Sequence, residues 1–136
     1  TTYNVRDNSD WESTLKPRLR ERLKKSENII LFLGDSTANS RALREEIDYG
    51  INTLGLPVIV IYPDLKTKED LLNIDKTRLN NTVLSLWDKL PVFRDSKSKV
   101  PVLHIPLNKE IIRTALNNAS FRLASKKEAN DYFYNN

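Results

Sequence analysis

Three short apolar runs constrain this chain more than any other feature. They are Ile29-Ile-Leu-Phe-Leu33, ending at Gly34; Val58-Ile-Val-Ile61, framed by Pro57 and Pro63; and Val102-Leu-His-Ile105, between Pro101 and Pro106. Runs of this length with little polar alternation mark strands covered on both faces, as in parallel sheets. Antiparallel strands with one wet face would alternate instead.

The segments between the runs carry helical periodicity. Leu43, Ile47, Ile51 and Leu54 form one stripe, with Ser40 as a good N-cap and Gly55 as a stop. Leu79, Val83, Leu86, Trp87 and Leu90 form another. Asn108 is placed to cap a last helix carrying Ile111, Ile112, Ala115 and Leu116. Ahead of the first run, Trp11, Leu15, Leu19 and Leu23 make an amphipathic stripe that Ser9 or Asp10 is placed to cap. Pro17 lacks an amide donor, so the regular part of that helix is expected to begin near Leu15. Residues 64–76 and 91–99 read as loops.

Helices therefore alternate with strands, and crossovers that contain a helix join parallel strands. The expectation is a parallel sheet with helices on both faces. In it, residues 29–33 form a central strand flanked by 58–61 and then 102–105. The segment 125–136 reads as a polar tail whose Tyr132, Phe133 and Tyr134 either fold back or belong to a disordered end. Three strands are few for such a sheet. The chain has no methionine and opens on a polar stretch, Thr1–Asp10. Residues 1–136 are thus expected to be a single domain lacking its N-terminal strand or strands.

Composition closes off several functions. No apolar run approaches the roughly 18 residues of a membrane span, and no charged-then-apolar leader is visible. Cysteine is absent, which removes disulfides, thiolate chemistry and cysteine-held metal, and fits a reducing cytoplasm. His104 is the only histidine, so no multi-histidine metal site exists. It reads either as a hydrogen-bonded strand residue or as a catalytic one. The net charge of +4 comes largely from Lys16 to Lys25. A nucleic-acid surface would interleave bases with aromatics; this segment does not, and it reads as a solvated helix face. Gly34, Gly50 and Gly55 are the only glycines, too scattered for a Walker or Gly-x-Gly-x-x-Gly fingerprint.

Ligands of open parallel sheets sit beyond the carboxyl ends of the strands. There Gly34-Asp35-Ser36-Thr37 offers small residues, hydroxyls and a carboxylate ahead of the helix that starts at Ser40. It is either an ordinary capped turn or an anion-binding one. The following helix carries Glu45, Glu46 and Asp48. At about 100° per residue, Glu46 lies about 60° from Leu43, at the margin of the buried stripe, with the small Ala42 one turn before it. Glu45 and Asp48 are expected to point further out. Glu46 is either a half-buried carboxylate beside a gap or a surface acid paired with Arg41 or Arg44.

The order Leu19-Arg-Glu-Arg-Leu-Lys-Lys-Ser26, Ile29-Ile-Leu-Phe-Leu-Gly34, Ser40-Arg-Ala-Leu-Arg-Glu-Glu-Ile47 resembles the central part of TIR-like domains of the Thoeris antiphage type. Gly55 to Pro63, Val100 to Pro106 and Asn108 to Ile112 continue the likeness, which covers roughly residues 12–121. It implies a flavodoxin-like three-layer α/β TIR fold in a bacterial, cytoplasmic antiviral defence protein. The implied reaction is hydrolase-type cleavage of NAD, yielding a cyclic ADP-ribose-type signal. Glu46 falls on the catalytic position, with Gly34, Asp35, Ser36, Thr37 and Ala42 as its substrate-binding surroundings. Family members often have tryptophan where Ala42 stands. No metal or cofactor is implied, NAD being the substrate. Self-association and a downstream effector sensing the product are implied as partners, with no nucleic acid and no membrane. The alternative is a non-catalytic TIR signalling scaffold. Thr1–Asp10 stands where the family has a nucleotide-binding loop.

Overall fold

The computed structural model describes residues 10–135. The strands are β1 (Ile29–Phe32), β2 (Val58–Tyr62), β3 (Pro101–Pro106) and β4 (Asn130–Phe133). They form one sheet in the order β1-β2-β3-β4, and every pairing is parallel. β1 is thus an edge of the described sheet, not its centre. Connectivity fixes that the crossovers are parallel; it does not fix which strand lies in the middle.

The main helices are α1 (Lys16–Lys24), α2 (Arg41–Ile47), α3 (Asn81–Trp87), α4 (Pro91–Ser96) and α5 (Lys109–Leu116). A π-helical turn, Trp11–Leu15, leads into α1, with Lys16 N–H donating to the Trp11 carbonyl. Pro17 is the second residue of α1, directly after the π-helical turn; it has no amide to continue the helical ladder, and the wider turn before it is where the helix accommodates that loss. Asp10 is itself helical and makes no side-chain cap; Ser9, the other candidate cap, lies with residues 1–8 outside the described residues. Ser40 and Asn108 cap α2 and α5 as expected, accepting from Leu43 N–H and from Glu110 and Ile111 N–H. A π-helical extension, Asp48–Thr53, prolongs α2.

α1 to α4 cover one face of the sheet. There Ile29, Leu31, Val58, Val60 and Val102 pack with Leu23, Ile47, Ile51, Val83 and Phe93. α5 and the short Ala119–Phe121 turn cover the other, burying Ile59, Ile61, Leu103 and Ile105 against Ala115 and Phe121. The result is three layers, and each fully buried aliphatic side chain contributes about 1.5–3 kcal/mol. β2 and β3 are buried along their whole length. β1 departs from the two-sided burial its sequence suggests: Ile29 and Leu31 are buried, while Phe32 is 54% exposed. Among the described residues no helix covers the second face over Phe32.

Two regions read as irregular are ordered. Residues 91–99 form α4 and a 3-10 turn, Lys97–Lys99, because Pro91 occupies a helix N-terminus where proline is favoured. Within 64–76, Thr67 and Asp70 form a capping box on the 3-10 turn Lys68–Leu71. Within the segment read as a polar tail, Asn130–Phe133 forms β4 alongside β3.

Candidate functional site

α1 crosses α2 on the face of the sheet that carries β1. Its stripe closes fully only at Trp11 and Leu23, which are buried, while Leu15 and Leu19 remain partly accessible. The gap left between the helices is a cavity of about 300 Å³. Trp11, Leu15, Leu19 and Arg22 line it from the α1 side; Ser40, Ala42, Leu43 and Glu46 line it from α2. Its walls are mostly apolar, and Glu46 is the carboxylate among the described residues that line it.

The Glu46 side chain is 23% exposed, and its Oε1 lies 3.6 Å from Nη2 of Arg22. Its partner is thus on α1, neither Arg41 nor Arg44. Burial raises the carboxyl above the ordinary glutamate range, and the Arg22 charge only partly offsets this. Ala42 matters because a larger side chain there would occupy the gap. A carboxylate held against apolar walls stabilises a neighbouring positive centre more strongly than it would in water.

Glu45 does not point outward. Its side chain is 14% exposed, less than that of Glu46, and accepts from Arg20 Nε at 2.7 Å. Arg20 also lies 4.5 Å over the Tyr49 ring. A wheel centred on Leu43 assumes one covered face; α1 covers a second flank of α2, and Glu45 lies on it.

Gly34, Asp35, Ser36 and Thr37 do not join Ala42 and Glu46. They form a turn bonded within itself and to its neighbours. Gly34 N–H donates to Thr37 Oγ1 at 2.9 Å, and Asp35 N–H donates to Asp64 Oδ2 at 2.9 Å. Lys89 Nζ donates to the Asp35 carbonyl at 3.0 Å. A Cβ at Gly34 would stand 2.7 Å from Asp64 Oδ2, so glycine is what admits this contact. The wall expected from this turn is supplied by Trp11, Leu15 and Leu19. Sequence reasoning missed Arg22, which it placed on a solvated basic face, and Trp11, which it read only as core.

His104 is 1% exposed and belongs to a separate buried chain of hydrogen bonds. Trp87 Nε1–H donates to the Tyr62 oxygen at 2.9 Å, which leaves the Tyr62 hydrogen to donate to His104 Nδ1 at 2.7 Å. Nε2–H of His104 then donates to Asp131 Oδ1 at 2.8 Å, and Lys97 Nζ donates to Asp131 Oδ2 at 2.7 Å. Burial lowers the His104 pKa and keeps the ring neutral, despite Asp131. Burial pushes the Asp131 carboxyl up, but the bonds from His104 and Lys97 outweigh it and hold the carboxyl low. Both ring nitrogens are occupied, so His104 ties β4 to the sheet. Among the described residues no cluster of three or more His, Asp or Glu side chains is arranged to hold a metal ion. No helix there is long and apolar enough to cross a membrane.

A parallel sheet covered on both faces defines a flavodoxin-like α/β domain, and the carboxylate-bearing cavity between the helices beside β1 is its candidate site. The family model of the Thoeris protein ThsB TIR-like domain matches residues 1–68. That match takes in half of the chain and both walls of the cavity, and the chain belongs to this family.

Proposed function

We propose that this domain cleaves NAD at the bond between nicotinamide and ribose, with Glu46 as the catalytic carboxylate. The observation that carries the reading is a half-buried Glu46 lining an apolar-walled cavity within the family-matched segment. Nicotinamide is a cationic leaving group. As the C–N bond breaks, its electron pair leaves with nicotinamide and positive charge develops on the ribose, as in glycoside cleavage. The Glu46 carboxylate stabilises that charge electrostatically and holds the ribose hydroxyls. Water then adds to the ribose and loses a proton, giving ADP-ribose. Capture by a nucleophile of the same molecule gives a cyclic isomer, which serves as the signal to a downstream effector. No step calls for a metal or a second cofactor. Self-association and a cytoplasmic role in antiphage signalling belong to the same proposal and rest on family membership.

The test is incubation of the full-length protein with NAD, alone and with phage-infected lysate, with products followed by mass spectrometry. Nicotinamide and ADP-ribose or its cyclic isomer are the expected products. Unchanged NAD under both conditions would replace the enzyme reading with a non-catalytic TIR scaffold.

A further inference from the structure

The arginines around Glu46 are not equivalent. Arg20 is committed to Glu45 and stacked over Tyr49. Arg44 is bonded to the Asn39 carbonyl, and Arg41 lies 5.5 Å over the Trp11 ring. Arg22 differs from all three. Its Nη2 stands 3.6 Å from Glu46 Oε1, beyond hydrogen-bond distance, and its side chain is 60% exposed. Such a loose, wet ion pair contributes little to stability and breaks readily. Yet Arg22 lines the same cavity as Glu46.

A ligand that brings a positive centre to Glu46 competes directly with this guanidinium. Two cations beside one carboxylate repel each other, so the mobile one moves. Its planar fork matches the geometry of phosphate oxygens and binds them bidentately. NAD carries both charges, a pyridinium cation on one end of the ribose and a diphosphate on the other. We propose that Arg22 changes partners on binding: it neutralises Glu46 in the free protein and takes the diphosphate of the bound dinucleotide, leaving Glu46 to face the ribose. This rests on the NAD reading above and adds a substrate class to it, pyridine nucleotides bearing a diphosphate in preference to the unphosphorylated nucleoside. Arg22 is then a substrate-binding residue, whose role sequence composition alone had assigned to a solvated face.

The experiment compares the full-length parent with Arg22→Gln and Arg22→Lys. Calorimetry reads ADP-ribose binding, and kinetics read cleavage of NAD and of nicotinamide riboside. Loss of one charged phosphate contact is expected to weaken ADP-ribose binding about tenfold in Arg22→Gln and to raise KM for NAD more than it lowers kcat. The ratio of kcat/KM for NAD over nicotinamide riboside is expected to fall by about the same factor, with Arg22→Lys recovering part of it. A merely structural role would depress both substrates alike. ADP-ribose affinity within about twofold of the parent, or an unchanged substrate ratio, overturns the Arg22 assignment and leaves the NAD reading standing. A parent that binds neither NAD nor ADP-ribose overturns both.

Discussion

Tyr62→Phe is the cleanest probe of the buried hydrogen-bond chain, because it removes one oxygen and leaves the packing of β2 intact. Tyr62 is fully buried, and its hydroxyl accepts from Trp87 and donates to His104. Deleting it orphans a donor on Trp87 and an acceptor on His104. Each unsatisfied buried group costs about 1–3 kcal/mol, and the partial exposure of Trp87 keeps its share near the low end. The sum expected is about 2–4 kcal/mol, which for a chain of this length lowers Tm by roughly 7–14 °C. Urea denaturation followed by tryptophan fluorescence measures it, with the m-value expected to be unchanged. The pH dependence adds a second check. His104 has a lowered pKa in the fold, so below about pH 6.5 the unfolded chain takes up a proton that the folded chain refuses. Stability therefore falls as pH drops through that region. Asp131 adds a further loss below about pH 3.8, because its carboxyl is also held low. Burial is the main cause at His104, so the slope between pH 7 and 5 is expected to persist in Tyr62→Phe. A variant within about 0.5 kcal/mol of the parent, or a parent with flat stability over that range, refutes the argument that this chain ties the sheet together.

The other expectations concern α2. Glu45→Gln loses its ion pair with Arg20 and is expected to lose about 0.5–1.5 kcal/mol in chemical denaturation while keeping cleavage activity, since Glu45 does not line the cavity. Glu46 has a raised carboxyl pKa, so its ionisation opposes folding as pH rises above about 4.5; Glu46→Gln is expected to equal or exceed the parent in Tm at pH 7. For the same reason the acid limb of kcat/KM for NAD is expected above the ordinary glutamate value, and a limb at or below about 4.5 contradicts the burial argument. Gly50→Ala would put a Cβ 2.5 Å from Ile29 Cδ1, where the extension of α2 meets β1. Overpacking there is expected to destabilise by about 1–3 kcal/mol, read by thermal melting.

β1, β2 and β3 are readable in the sequence because each is a dense apolar run cut off by glycine or proline. β4 is not. Asn130-Asp131-Tyr132-Phe133 has polar residues, an exposed start and no bounding punctuation. It is a strand because its backbone pairs with β3 and Asp131 meets His104 and Lys97, contacts 27 and 34 residues apart in sequence. No local pattern encodes such pairings. The same limit applies to the site. Helix geometry puts Glu46 at the margin of a buried stripe, which needs only the residues of α2. The burial of Glu45, the reach of Arg22 and the place of Trp11 in the wall all depend on how α1 crosses α2. That crossing is a tertiary fact. The turn at Gly34–Thr37 shows the converse: its residue types suit an anion, yet the Gly34 and Asp35 amides donate to Thr37 and Asp64, and the Asp35 carbonyl accepts from Lys89.

The central claim is that the Glu46 carboxylate drives nicotinamide release. The most direct measurement is nicotinamide liberated from NAD by the full-length parent and by Glu46→Gln, under one activating condition and with both proteins shown to be folded by thermal melting. The account expects release by the parent and a loss of about a hundredfold or more in the variant, which keeps the size and hydrogen bonding of glutamate without its charge. Equal release by the two proteins would contradict it and place the chemistry elsewhere in the domain.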